Sequence, residues 1–162
     1  MKRRIGTKGL QLIEEFEGLR LSPYLCPAGI PTIGIGTTTY PDGTKVSLTD
    51  SDITAYQALA FLEHDLKYFC EAVEMFAMKH NLYLGDNKFT ALVCFVYNVG
   101  LSPLTTKGKL MYEGLINDNS DKIKRAFLAY TKATTIKNGV AKKVELPGLV
   151  KRRNAEMNLF FS

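Results

Sequence analysis

From Thr54 onward the apolar residues of this chain recur with a helical period, and they keep that period over a long segment. Thr54 and Gln57 have the spacing of a capping box at its start. One apolar face follows, made of Leu59, Leu62, Leu66, Phe69, Val73 and Phe76. The pattern predicts a single helix of about 22 to 25 residues. At a rise of about 1.5 Å per residue, such a helix is long enough to join two lobes.

The segment before this helix predicts a short helix and then a small sheet. Residues 8–17 have helical spacing, with Thr7 as the predicted N-cap, Gly18 as the stop and Glu17 as the last residue. Residues 20–46 place Gly and Pro among alternating β-formers. They predict two or three short antiparallel strands with turns at Pro27-Ala28-Gly29 and Pro41-Asp42-Gly43. A sheet this small must pack against helices.

The segment after the long helix is predicted to be helical apart from its loops. Gly85 and Asp86 separate the long helix from a helix over Phe89 to Val99, which is apolar nearly all round and therefore predicts a buried core. Two further helices are predicted over 106–117 and 120–133, with Asp118-Asn119-Ser120 as the loop and cap between them. A Lys-rich polar loop that contains Gly139 is predicted over 134–147. A final helix is predicted after Pro147-Gly148.

The fold class that these elements predict is α+β, in a single domain over 1–162. It has a small sheet-bearing N-terminal lobe over about 1–60, a linking helix over about 54–79 and a helical C-terminal lobe over about 80–162. A cleft between two lobes is the usual place for a ligand.

Charge and cysteine content limit the class of function. The net charge is +5 and the pI is about 9.1, which favours polyanionic partners such as nucleic acid, anionic lipid or an acidic wall polymer. The basic residues are spread along the chain, apart from Lys2-Arg3-Arg4 and Lys151-Arg152-Arg153, so no nucleic-acid stripe is predicted. Cys26, Cys70 and Cys94 lack metal-ligand spacing and are odd in number. They argue against a disulfide scaffold and indicate folding in a reducing compartment. We expect neither a metal nor a cofactor.

The N-terminus has basic residues but no apolar stretch, and no segment is long and apolar enough to predict a transmembrane helix. We therefore expect synthesis in the cytoplasm without a signal peptide and no stable insertion into a membrane. If the target lies outside the membrane, another component must deliver the protein.

Glu17, Cys26 and Thr32 are the candidate catalytic residues. Hydrolysis of a glycosidic bond needs an acid that protonates the leaving oxygen and a second group that activates water or attacks carbon. Glu17 could be the acid, Thr32 could hold a water, and Cys26 could act as a base or nucleophile. Each also has an ordinary structural reading: an exposed glutamate at a helix end, a strand threonine and a small packing cysteine. Gly34 and Gly36 would allow a polymer to approach the backbone closely.

The spacing Glu17-x8-Cys26-x5-Thr32, within EGLRLSPYLCPAGIPTIGIGTT, closely resembles the catalytic hairpin of phage-type lysozymes, the endolysin muramidases of glycoside hydrolase family 24. DITAYQALAFLEHDL is similar to the family's interlobe helix, and FTALVCFVYNVG to its buried central helix. LPGLVKRRNAEMNLF is similar to its C-terminal signature. The resemblance covers essentially residues 8 to 161, with four motifs in order.

The resemblance implies a muramidase that cleaves the β-1,4 bond between N-acetylmuramic acid and N-acetylglucosamine in peptidoglycan and lyses bacterial cells. Glu17 would be the general acid and Thr32 would position the hydrolytic water. Cys26 stands where many members have Asp, and would activate or orient that water. Either Arg152 or Arg153 would pair with Glu17, while the other could belong to a solvated helix face. The residues implied to line the substrate cleft are Tyr24, Gly36 and Asn98.

The resemblance also implies a monomer that acts on the wall after release from the host cytoplasm through a holin-type partner, without nucleic acid.

Two positions depart from the family pattern. Thr37 stands where a His is usual, which implies that a stabilising charge pair is absent, and Tyr130 stands in for a Trp. Two alternatives stay open: a lysozyme fold that only binds the wall, and a basic nucleic-acid binder, which rests on the pI alone.

Overall fold

A computed structural model describes residues 3–137 and 140–162 of the chain, and it divides into two compact units, Met1–Cys70 and Glu71–Ser162. The fold class is α+β, as predicted: helices combined with small antiparallel sheets. The first unit contains α1 (Thr7–Glu17), β1 (Arg20–Leu25) and β2 (Pro31–Gly34), and α2 (Ala55–Lys79) begins in it and ends in the second unit. The second unit continues with α3 (Asp86–Val99), α4 (Ser102–Thr105), α5 (Leu110–Ile116), α6 (Ser120–Leu128), β3 (Lys132–Lys137), β4 (Val140–Glu145) and α7 (Pro147–Phe160).

Helix α2 is the predicted long helix, with 25 residues. Its capping box is confirmed: the Thr54 N–H donates to Gln57 Oε1 at 2.8 Å, and the Gln57 N–H donates to Thr54 Oγ1 at 3.2 Å. Each side chain therefore satisfies a backbone N–H that would have no partner at a bare helix end.

Helix α1 ends at Glu17, as predicted. Gly18 takes a positive φ of 76° and its N–H donates to the Glu14 carbonyl at 2.8 Å, which closes the last turn. The predicted N-cap was wrong by one residue. Gly6 has the extended backbone of the cap, and Thr7 is already the first helical residue.

The sheet of the first unit packs on α2 through its apolar residues and one glycine. Ile33 and Ile35 are fully buried. Gly34 has a φ of +66°, and a Cβ at this position would lie only 3.2 Å from Ala58 Cβ and 3.4 Å from Ala58 Cα. A glycine is therefore favoured at this position, because a side chain would crowd α2 where the backbone of β2 packs against it.

Helix α3 is the buried core of the second unit, as its sequence predicted. Phe89 through Val96 are all buried. The helix begins at Asp86, three residues earlier than predicted, and this carboxylate in the first turn complements the positive end of the helix dipole. In the part of the chain that the structure describes, none of the helices combines the length and the hydropathy that a membrane span requires.

Two predicted helices are shorter than expected. Within the helix predicted over 106–117 the structure has the shorter α5, which starts at Leu110, because Gly108 just before it has a φ of +88° that a continuous helix does not allow. The helix predicted over 120–133 ends at Leu128. Its predicted cap is confirmed, since Asn119 accepts from the Lys122 N–H at 2.9 Å.

The polar loop predicted over 134–147 was wrong, because β3 and β4 form an antiparallel hairpin there with Thr134 opposite Lys143. The base of the hairpin is closed by two hydrogen bonds: the Leu146 N–H donates to the Thr131 carbonyl at 2.9 Å, and the Thr131 hydroxyl donates to Glu145 at 3.0 Å. Gly139 lies outside the described residues. The final helix starts at Pro147 itself, whose fixed φ suits a first helical position.

Gly114→Ala tests the packing of α5 on α6. A Cβ at Gly114 would lie 2.8 Å from Ile123 Cγ1 and 3.0 Å from the Ile123 backbone nitrogen, which cannot rotate away. We expect the free energy of unfolding to fall by about 1–3 kcal/mol, measured by chemical denaturation. Gly148→Ala in α7 is the matched control, since its Cβ would meet no atom within 4 Å. Equal stability of the two variants would contradict this packing.

Candidate active site

The register of the first hairpin puts three candidate residues on one face. Tyr24 in β1 lies opposite Thr32 in β2, and the Cys26 N–H donates to the Ile30 carbonyl at 3.0 Å, one step closer to the turn. Opposed residues share a face, and side chains alternate along each strand. Tyr24, Cys26 and Thr32 therefore project from the same face of the hairpin.

The turn between the strands surrounds the sulfur of Cys26 with backbone N–H groups. Gly29 has a φ of +77°, and its N–H donates to the Cys26 carbonyl at 2.7 Å, so the turn is tight. The hydrogen bond from the Ile30 N–H is the main cause that lowers the pKa of the Cys26 thiol. The Ala28 and Gly29 N–H groups and the Thr32 hydroxyl act in the same direction, while partial burial opposes them. Cys26 therefore has more thiolate character than an ordinary cysteine.

The hydroxyl of Thr32 is buried and oriented. Its proton is donated to the Ile30 carbonyl, with Oγ1 at 2.9 Å from that oxygen. A hydroxyl has one proton, so Thr32 can donate to the Cys26 sulfur only by giving up this bond. In the observed geometry its lone pairs are the groups that can accept a hydrogen bond from a water.

Tyr24 links Glu17 to this face. Burial is the main cause that raises the pKa of Tyr24, the Arg20 guanidinium opposes it, and the charges of Glu17 and Cys26 raise it further. The Arg20 Cζ lies 4.8 Å from the centre of the Tyr24 ring. The charges of Glu17, at the end of α1, and of Cys26 therefore both act on Tyr24, and the four predicted residues Glu17, Tyr24, Cys26 and Thr32 all lie in the first unit.

Two further residues discussed from the sequence lie directly after β2. Gly36 has a φ of +81° in the turn that joins Ile33 to Thr37 through paired backbone hydrogen bonds of 2.9 and 3.0 Å. Thr37 is fully buried and its hydroxyl donates to Asp65 Oδ2 at 3.2 Å. Burial raises the pKa of Asp65, and this hydrogen bond and His64 lower it. A hydrogen bond from the Thr37 hydroxyl to a carboxyl group of α2 thus stands where the resembled family usually has a histidine.

Arg152 and Arg153 lie in the second unit, and both are buried. The expectation that one of them belongs to a solvated helix face was wrong, because both contact the buried Glu156 one turn further along α7. Arg152 Nε lies 3.1 Å from Glu156 Oε1, and Arg153 Nε lies 2.9 Å from Glu156 Oε2. Two guanidiniums thus share one carboxylate. The Arg152 Nε–H and an Arg153 Nη2–H both donate to Glu156 Oε1, at 3.1 and 3.0 Å, and these bonds hold the buried charge.

Arg153 also contacts the predicted cleft residue Asn98. Its Nη2 donates to Asn98 Oδ1 at 2.9 Å, and its guanidinium lies 5.2 Å from the ring centre of Phe95. The Tyr130 ring packs edge-on against Phe95, with centroids 5.5 Å apart. Glu156, at the centre of this arrangement, was missed in the sequence, although its spacing of three and four residues from the two arginines is the signal for contact on a helix.

No group of three or more His, Cys, Asp or Glu side chains is arranged to bind a metal ion among residues 3–137 and 140–162. The acid–base groups of the candidate site are a carboxyl, a thiol and a hydroxyl.

The chain is similar to known proteins over nearly its whole length. A family model described as Phage lysozyme matches residues 14–156. An endolysin of Acyrthosiphon pisum secondary endosymbiont phage 1 is 36% identical over 98% of both chains. Among solved structures, the endolysin from Escherichia coli O157:H7 phage FAHEc1 has a TM-score of 0.85 at 33% identity, covering 100% of this chain and 96% of that one. The muramidase domain of SpmX from Asticaccaulis excentricus has a TM-score of 0.78 at 29% identity, covering 99% of each.

The pKa of Cys26 predicts selective alkylation. Iodoacetamide should modify Cys26 first at pH 7 to 8, because Cys70 and Cys94 are buried. The dependence of the rate on pH should have its midpoint below the ordinary thiol value of 9.0. Peptide mapping by mass spectrometry identifies the modified residue, and Cys26→Ser is the control that should remain unmodified. A midpoint at or above the ordinary value would contradict the influence of the turn.

Glu156→Gln tests the buried charge cluster. Two buried guanidiniums would then face an uncharged amide, and we expect the free energy of unfolding to fall by about 3–5 kcal/mol. Glu63→Gln, at an exposed position of α2, should change it by less than about 0.5 kcal/mol. Thermal and urea denaturation provide the measurement, and a Glu156→Gln protein as stable as its control would refute the assignment.

Proposed function

Because the chain belongs to the phage lysozyme family and is a glycoside hydrolase of the muramidase type, we propose that it cleaves the β-1,4 bond between N-acetylmuramic acid and N-acetylglucosamine in bacterial peptidoglycan and thereby lyses bacterial cells. The observation that carries the assignment of residues is the shared hairpin face of Cys26 and Thr32, together with the effect of the Glu17 charge on the pKa of Tyr24 on the same face. Hydrolysis of a glycosidic bond needs an acid for the leaving oxygen and a group that activates water, and Glu17 and Cys26 are our candidates for these two roles.

In this proposal Glu17 is the general acid. Its carboxyl donates a proton to the glycosidic oxygen as the bond to the anomeric carbon breaks. It is half-buried at the end of a helix whose final turn is closed by Gly18. The closed turn therefore fixes the backbone of Glu17, from which the carboxyl must come within hydrogen-bond reach of the glycosidic oxygen.

Cys26 and Thr32 act on the water. Thr32 Oγ1 accepts a hydrogen bond from the water, since its own proton is donated to Ile30. The Cys26 thiolate accepts the second proton as the water oxygen bonds to the anomeric carbon, and the thiol later returns this proton to solvent. The water adds to the face opposite the leaving oxygen, so the product has inverted configuration, which the resembled family is associated with.

The lowered pKa of Cys26 supports its use in place of a carboxylate. An ordinary thiol is mostly protonated at neutral pH and is a poor base. Hydrogen bonds from the turn shift Cys26 towards the thiolate, which is the form that a base requires. Direct attack by the thiolate on the sugar is the competing role, and it would give retention of configuration.

We propose that Arg152 or Arg153 pairs with Glu17, and that Tyr24, Gly36 and Asn98 contact the glycan. We further propose that the enzyme works as a monomer and reaches the wall from the host cytoplasm through a holin-type partner.

Glu17→Gln tests the proposed reaction. The variant should fold normally and lose at least about 100-fold of its activity, because the amide cannot donate the acid proton. Glu15→Gln, two residues earlier on the exposed side of α1, is the matched control and should remain active. Muropeptide analysis of digested peptidoglycan identifies the bond that is cleaved.

Cys26→Asp in the same assay should keep activity and inversion of configuration, whereas Cys26→Ser should lose most of the activity. Lysis by Glu17→Gln at the wild-type rate would refute the role of the acid. Binding of the wall without release of reducing ends by the wild type would favour the wall-binding alternative. Salt-sensitive DNA binding without activity on walls would favour the nucleic-acid binder.

A further inference from the structure

Asn98 is an exposed residue whose side chain is held by a buried charge. It lies in the last turn of α3, two residues before Gly100, whose φ of +82° ends the helix. Its Oδ1 accepts a hydrogen bond of 2.9 Å from Nη2 of Arg153, which is completely buried. Exposed side chains usually change rotamer within nanoseconds. The bond to a buried partner therefore restricts the Asn98 amide.

The charge of Arg153 decides which end of the Asn98 amide faces outwards. A guanidinium has N–H donors and no acceptor, so it pairs only with the carbonyl oxygen of an amide. The opposite orientation would place an NH2 group against these donors. In the part of the chain that the structure describes, no group accepts a hydrogen bond from Nδ2 of Asn98. The amide therefore presents donors, and no acceptor, to whatever approaches it.

Arg153 is itself fixed in position. Its Nη2 also donates to Glu156 Oε1 at 3.0 Å, and its Nε lies 2.9 Å from Glu156 Oε2. Its guanidinium lies 5.2 Å from the ring centre of Phe95, which is also fully buried. Arg153 cannot leave this arrangement without separating buried charges, which is costly. Asn98 is thus a pre-organised donor at an exposed position, and pre-organisation reduces the entropy lost on binding.

We propose that Asn98 determines specificity by donating a hydrogen bond to the carbonyl oxygen of a 2-acetamido group of the glycan, with Arg153 as its positioning residue. This inference rests on the proposed function, in which Asn98 contacts the glycan, and it adds which group of the glycan is contacted. Both sugars of peptidoglycan carry an N-acetyl group, whose carbonyl oxygen accepts hydrogen bonds and cannot donate them. A donor held outwards matches this oxygen, whereas a sugar hydroxyl pairs equally well with either end of an amide.

Asn98→Asp tests the direction of this hydrogen bond. The two side chains have the same shape, and a carboxylate still accepts from Arg153, so the outward group changes from a donor to an acceptor. Binding to N-acetylated walls should weaken by about three- to tenfold. Binding to de-N-acetylated walls should not weaken, because these walls carry an ammonium that the new carboxylate attracts.

Asn119→Asp is the matched control for the binding assay. It makes the same change of atoms and of net charge at the exposed N-cap of α6, where aspartate caps as well as asparagine does. Binding is measured by co-sedimentation with insoluble walls, and every protein in this assay also carries Glu17→Gln so that the walls stay intact. Walls that are de-N-acetylated and then acetylated again show whether the chemical treatment alone changes binding.

Kinetics and stability separate recognition from a structural effect. With Glu17 intact, Asn98→Asp should raise the half-saturating concentration of N-acetylated walls by the same factor as it weakens binding. The maximal rate should change by less than about twofold, because Asn98 contacts no reacting atom in this proposal. The melting temperature should equal or exceed that of the wild type, since the carboxylate forms a charge-assisted bond with Arg153.

Three outcomes would overturn the inference. They are an equal preference for N-acetylated over de-N-acetylated walls in Asn98→Asp and Asn119→Asp, a loss confined to the maximal rate, and a melting temperature of Asn98→Asp below that of the wild type. Muropeptide release by the wild type is measured separately. Release together with an unchanged preference refutes the role of Asn98 alone. A changed preference without release refutes the proposed function alone.

Discussion

The pairing of Tyr24 with Thr32 is the constraint on which the candidate site depends. A slip of one residue in this register would turn Cys26 and Thr32 to opposite faces of the hairpin, because the side-chain period of a strand is two. The tight turn at Gly29 fixes the register at one end. At the other end Gly34 packs against Ala58, and Thr37 donates to Asp65, so the second strand is held on α2. The close packing of Gly34 and the Thr37–Asp65 hydrogen bond thus hold β2, and with it Thr32, in this register.

The two units differ in how deeply they bury their ionisable side chains. The first keeps Glu17 and Cys26 half-buried, and backbone N–H groups of the turn lower the pKa of the Cys26 thiol. The second buries Arg152 and Arg153 completely and neutralises them in part with Glu156. Catalytic groups must exchange protons with the substrate, so full burial would prevent them from reacting. A buried cluster of charges instead favours one packing arrangement of α7.

The features that were predicted best are those that depend on residues close together in the sequence. The capping box at Thr54 and the apolar run of α3 were recognisable because each depends on neighbours a few residues apart. The hairpin of β3 and β4 was missed although Asn138-Gly139 is a strong hairpin dipeptide, because the surrounding lysines suggested a solvated loop. The pKa of Cys26 could not be predicted, since it depends on where the N–H groups of a folded turn point. Glu156 was overlooked because charged residues on a helix usually face water.

The β3–β4 hairpin has a consequence for protein engineering. Its base is closed by the Leu146–Thr131 and Thr131–Glu145 hydrogen bonds, and its described side chains are mostly solvent-exposed. The entropy of closing a loop grows slowly with its length. The hairpin is therefore a graft site, where a longer binding loop or an added targeting peptide could be carried while the segments that enter and leave it stay fixed.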